Sequence, residues 1–122
     1  MNWIFDNDRP IYIQLVEQLK IFIVTGAYKC GEKLPSVREL AFETKVNPNT
    51  MQKALLELEN YGVIYTQRTS GKFVTEDKNL IEKLRKEIAK EKLNEFLDIM
   101  KRLGYNNDKI IEYLTKNRGE IS

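Results

Sequence analysis

Ser36-Val37-Arg38-Glu39-Leu40-Ala41-Phe42-Glu43-Thr44-Lys45-Val46-Asn47-Pro48-Asn49-Thr50-Met51-Gln52-Lys53-Ala54 decides the fold. Ser36 followed three residues later by Glu39 is a capping box, in which the hydroxyl caps a helix start and the carboxylate reaches back to it. It predicts a short helix over Val37–Thr44 with Val37, Leu40 and Ala41 turned inward. Lys45-Val46 leaves room only for a tight joint. Asn47-Pro48 then supplies an N-cap and a proline in the first turn, where its missing N–H costs nothing. Met51, Ala54, Leu55 and Leu58 give the third helix an apolar stripe, and Gly62 ends it. Two helices joined this closely form a helix–turn–helix.

Upstream, Arg9-Pro10 opens a helical pattern in which Ile11, Leu15, Leu19, Phe22 and Ile23 recur at three- and four-residue steps until Gly26. Ala27 to Pro35 reads as a loop. Downstream, Val63–Thr66 and Lys72–Thr75 are β-type runs joined by Gln67 to Gly71, a hairpin with glycine at its tip. After Glu76-Asp77 the character changes to Lys, Glu, Leu and Ile, predicting a long helix over Leu80–Leu103 stopped by Gly104. Asn106 or Asn107 caps a last short helix through about Lys116, with Ile110, Ile111 and Leu114 buried. The class is mainly α (α+β): a winged helix–turn–helix domain with a two-stranded wing over residues 9–77, then a short all-helical dimerisation tail over 78–122.

Composition narrows the chemistry. The chain of 122 residues holds one cysteine and no histidine, so a disulfide within it, multi-thiolate and His-ligated metal sites, and Ser-His-Asp or Cys-His catalysis are excluded. No cofactor, metal or catalytic residue is expected, and the reading is a binding protein rather than an enzyme. The longest apolar run, Ile21–Val24, falls far short of the ~20 residues a membrane span needs. The N-terminus lacks the layout of a signal peptide, so a cytoplasmic protein without membrane contact is expected.

Net charge is only +2, from 20 basic and 18 acidic residues, and does not announce nucleic acid. Placement does. No acidic residue lies between Lys45 and Ala54, nor between Tyr61 and Thr75. A helix–turn–helix offers the N-terminal side chains of its second helix to base edges in the major groove. Asn49, Thr50, Gln52 and Lys53 hold those positions. Gln and Asn bond adenine bidentately, and Lys suits phosphate or guanine. The helix N-terminus at Asn47 and Pro48 can hold a phosphate with its free amides. Arg38 alone reads as a solvated first-turn arginine, but beside the groove helix it is assigned to phosphate or base contact. Tyr12, Phe22, Phe42, Tyr61 and Tyr65 read as core or domain-joint aromatics, and Cys30 as a passive loop residue. Glu82, Glu87, Glu91 and Glu95 read as a solvated helix face.

Gly31-Glu32-Lys33-Leu34-Pro35-Ser36-Val37-Arg38-Glu39-Leu40-Ala41 resembles the PGxxLPSxRxLA signature of GntR-type bacterial transcription factors. Val46–Ala54 and Leu58-Glu59-Asn60-Tyr61-Gly62 continue the resemblance, which covers residues 9–75 in correct order. A tail of only two predicted helices looks like the YtrA-like subfamily. The resemblance implies a regulator, often a repressor, that binds operator DNA through Ser36, Arg38, the segment from Asn47 to Lys53, and the wing residues Arg68, Thr69, Ser70, Gly71 and Lys72. Two departures stand out: Cys30, where the family usually has proline, and a wing without the second glycine frequent in the subfamily.

On the long helix Leu80, Leu84, Ile88, Leu93, Phe96, Leu97, Met100 and Leu103 form a broad stripe. Two helices cannot close a core alone, so Leu84, Ile88, Leu93, Phe96, Leu97 and Met100 are expected to join two copies. A twofold homodimer through the C-terminal helices would present two groove helices to an inverted repeat in double-stranded DNA. An unidentified small-molecule effector is compatible with such a tail. The alternative reading is a winged-helix protein-interaction module without sequence-specific DNA binding.

Overall fold

Ser36 caps its helix as expected: its hydroxyl accepts from Glu39 N–H at 3.1 Å, while Glu39 Oε1 accepts from Ser36 N–H at 3.2 Å. Around this start the structure, a computed structural model describing residues 1–121, arranges its elements in the expected order. Helix α1 (Ile11–Val24) precedes α2 (Val37–Thr44) and α3 (Pro48–Tyr61). Strands β1 (Ile64–Gln67) and β2 (Gly71–Val74) follow, then α4 (Lys78–Arg102), α5 (Asn107–Lys116) and the single turn α6 (Arg118–Ile121). The strands pair antiparallel from Ile64 opposite Val74 to Gln67 opposite Gly71, each strand one residue from its expected bounds. Asn106, not Asn107, caps α5, its side chain accepting from Lys109 N–H.

The chain divides into two compact units, Met1–Arg85 and the residues from Lys86 onward. The first therefore takes in residues 1–8 and about two turns of α4. Its core is built where α1 packs on α3: Leu15, Leu19, Met51, Ala54, Leu55 and Leu58 are all 0% exposed. Leu40 of α2, Val63, Ile64 and Val74 of the hairpin region, and Leu84 of α4 complete it. Each fully buried large aliphatic contributes about 1.5–3 kcal/mol of transfer free energy. The second unit buries little; Ile110 is its one buried apolar residue among those described. Ile111 and Leu114, expected to be buried, stand 60% and 42% exposed, because so few helical residues offer no further layer to cover them.

Phe42 is a second correction. Expected in the core or at a domain joint, it is 88% exposed. Leu40, Ala41 and Thr44 define the inner face of α2, and residues two apart on a helix do not share a face.

The N-terminal arm is an addition to the expected elements. Gln14 and Gln18, one turn apart on α1, use their side-chain amides as strand edges toward the extended residues before it. Gln18 accepts from Ile4 N–H at 3.0 Å and donates to Ile4 O. Gln14, only 3% exposed, accepts from Asp6 N–H and donates to Asp6 O and Arg9 O, so its burial is fully compensated. Trp3 then meets Phe22 edge to face at 4.9 Å. The signal for the arm is two glutamines at helical spacing on an otherwise apolar face.

Candidate DNA-binding interface

The joint between α2 and α3 fixes the angle at which α3 is presented. Lys45 takes a left-handed conformation, φ 59°, and Val46 N–H returns to Ala41 O at 3.0 Å, closing α2. Asn47 then caps α3, its side chain accepting from Asn49 N–H at 2.7 Å. Pro48 occupies the first turn. The inner face of α3 is fully buried, so the opposite face carries what the sequence singles out: Asn49, Gln52 and Lys53 are exposed and Thr50 is half-buried. Ser36 and Arg38 are exposed at the start of α2. The free amides expected at this helix start are mostly used up: Pro48 has none, and the N–H groups of Asn49 and Met51 go to the Asn47 side chain and carbonyl.

Two acidic residues, Glu57 and Glu59, lie on the later part of α3. The Tyr12 phenol of α1 is pushed up first by burial and then by Glu57. Glu59 turns to the wing, where it accepts from the Thr66 hydroxyl and from Lys72 Nζ at 3.4 Å. Its carboxyl is held below the usual range chiefly by the Thr66 hydroxyl and also by the Lys72 charge, against an opposing effect of burial. Glu39 is likewise lowered, first by the Ser36 N–H and then by its hydroxyl.

The wing is anchored on two sides. Leu34 N–H donates to Lys72 O at 2.8 Å, and Lys33 pairs with Phe73 as an isolated bridge, tying β2 to the segment that leads into α2. Tyr65 stacks on Phe73 across the hairpin at 5.7 Å. Arg68, Thr69 and Ser70 form the turn, closed by Ser70 N–H to Gln67 O. Gly71 sits at φ 111°, a conformation that a side chain would strain. Lys72 lays its ammonium on Thr66 Oγ1 at 2.9 Å and on Glu59. The free face of the wing is therefore Arg68, Thr69, Ser70 and Gly71, all exposed.

The residues expected to join two copies fall in different settings. Leu84 is 1% exposed inside the first unit. Ile88, Leu97 and Met100 are half-buried, whereas Leu93 and Phe96 are 53% and 38% exposed. Ile99 and Leu103 extend the open apolar surface of α4.

A three-helix unit with one helix end exposed beside a basic turn, on a two-stranded wing, defines a winged helix–turn–helix DNA-binding protein. The chain belongs to the GntR family of bacterial regulatory proteins, whose pattern matches residues 11–74. It is 35% identical over 116 residues to the HTH-type transcriptional repressor YtrA of Bacillus subtilis, covering 94% of this chain and 89% of that one. A GntR family transcriptional regulator from Listeria monocytogenes superposes with a TM-score of 0.85 at 49% identity, covering 92% of this chain and 98% of its own. The DNA-binding domain of AraR in complex with operator ORX1 is similar over 62% of this chain and 96% of its own, with a TM-score of 0.56 at 26% identity. The chain is thus a DNA-binding transcriptional regulator. No described helix is long and apolar enough to cross a membrane.

Proposed function

We propose that the chain acts as a homodimeric repressor in the cytoplasm, binding an inverted-repeat operator without a cofactor or any catalytic step. Gln52, Asn49 and Thr50 read base edges; Arg38, Lys53 and Arg68 contact phosphates; Ser36, Asn47 and Pro48 at the helix starts and the turn Thr69-Ser70-Gly71 lie against the duplex. The repressor sense rests on the likeness to YtrA, which is named a transcriptional repressor. The observation that carries the dimer is the open apolar surface at Leu93, Phe96, Ile99 and Leu103 in a unit burying only Ile110 among its described apolar residues. A second copy covers that surface and makes the second half-site contact intramolecular, raising avidity by ~10²–10⁴.

The test is a binding titration on DNA from upstream of the chain's own gene. Half-sites should lie about one helical turn, ~10 bp, apart centre to centre, and inserting half a turn (~5 bp) should abolish tight binding. Gln52→Ala should cost about 1–3 kcal/mol on that DNA and much less on scrambled DNA. Indifference to spacing would refute the dimer, and equal losses on both DNAs would remove Gln52 from base reading.

A further inference from the structure

Glu59 is an acidic residue on the DNA-reading helix of a DNA-binding domain, an arrangement that Coulomb's law penalises near phosphates. Its placement explains why it is there. One carboxylate oxygen, Oε1, takes both the Thr66 hydroxyl from β1 and the Lys72 ammonium from β2, and the ammonium also donates to Thr66 Oγ1. The three side chains close a ring that ties α3 to the Thr66–Lys72 pair of the wing, one pair from its turn. Within it the Lys72 side chain is only 16% exposed and Glu59 29%. Lys53 and Arg68, by contrast, stand exposed at the helix end and the wing turn. A cation already paired with a carboxylate in a partly buried ring gains little by moving to a phosphate, since it would leave the carboxylate behind unpaired.

We propose that Glu59 is a specificity-determining residue that withholds Lys72 from the phosphate backbone. Phosphate contacts by lysine are sequence-independent, so each one raises affinity for all DNA alike and adds about one unit to the salt slope. Drawing Lys72 onto α3 removes one such contact and leaves a larger share of the binding energy to Gln52, Asn49 and Thr50. The same ring fixes the wing against the last turn of α3, so Arg68 meets the backbone in one register. Glu59 acts through Lys72 and Thr66 and touches no DNA itself. This inference rests on the DNA-binding reading of the domain, and deepens it.

The experiment measures the salt dependence of binding for the full-length chain on two labelled duplexes, one from upstream of its own gene and one scrambled. Glu59→Ala frees Lys72: scrambled DNA should bind more tightly, the salt slope should steepen by about 1, and the upstream-to-scrambled affinity ratio should fall several-fold. Lys72→Met in the otherwise intact chain should leave the slope unchanged, but in the Glu59→Ala background it should bring the steepened slope back. A purely structural brace would move the melting temperature and leave every slope alone, so an unchanged slope in a folded Glu59→Ala protein overturns the proposal. A slope reduced by about 1 in Lys72→Met alone overturns it too, and that variant decides the matter should Glu59→Ala not fold. A wild-type protein with no salt-dependent binding to either duplex would instead sink the DNA-binding reading itself.

Discussion

The two units of the chain contrast in how they use apolar residues. In Met1–Arg85 Leu15 and Leu19 of α1, Leu40 of α2, and Met51, Leu55 and Leu58 of α3 are fully buried, while Ile11, Ile13, Ile21 and Leu56 remain on the outside of the same helices. From Lys86 onward aliphatics also recur along the helices, yet Leu93, Ile99, Leu103 and Ile111 stand more than half exposed. A recurring apolar pattern thus has two outcomes. Three helices and a hairpin enclose a volume; the few helices of the second unit do not, and their apolar groups are left for a partner.

The largest expected effect comes from moving the boundary between the units. A chain stopped after Arg85 should fold alone, whereas one stopped after Asp77 loses Ile81 and Leu84, 8% and 1% exposed in the first unit. Two such side chains are worth about 3–6 kcal/mol together, so the shorter chain should unfold at a much lower urea concentration. Equal midpoints would place α4 outside the first core. Next in size is Leu97→Asp. An uncompensated charge in a dimer seam costs about 3–5 kcal/mol, enough to convert the protein to monomer in sedimentation velocity while the first unit's unfolding midpoint stays put. A wild-type chain already monomeric at micromolar concentration would end the second-copy explanation of the open surface.

The smallest effect separates the units through acid titration. Glu59 joins α3 to both strands, and its folded carboxyl lies below the usual value of 4.5. A carboxylate so lowered stabilises the fold above that value and loses its contribution as pH falls through the folded one. The stability gap between wild type and Glu59→Gln should therefore be widest near neutral pH and close as pH drops below 4.5. Glu112 in the second unit is also lowered, first by its bond from Lys116 and then by Lys109, but these are neighbours on its own helix. Glu112→Gln should leave the urea midpoint of the first unit unchanged at every pH; a shift there would show that the two units do not unfold independently.

Much of the architecture is legible in the residues themselves. Capping chemistry acts within four residues, and Ser36 with Glu39, Asn47 with Pro48, and Gly62 set helix bounds that the structure reproduces within a residue. The groove-facing residues are legible for the same reason: once Met51, Ala54, Leu55 and Leu58 are inside, helical periodicity puts Asn49, Gln52 and Lys53 outside. Phe42 escapes such a reading because a large aromatic carries a strong prior for burial that says nothing of which face it occupies. Lys72 escapes it because a local scan from Tyr61 to Thr75 meets no carboxylate, while its partner, Glu59, lies just before that stretch and on another element.

Short-range chemistry settles the helix starts and stops, the hairpin and the order of elements, and all of these can be read from residue types and spacing. Which charges remain available is settled by packing, because pairing depends on which elements meet. Packing turns Lys72 inward onto Glu59, lays the N-terminal arm along Gln14 and Gln18, and draws Leu84 into the first core. Each of these rests on contacts between residues on different elements, and no local pattern of residue types encodes which distant group will arrive.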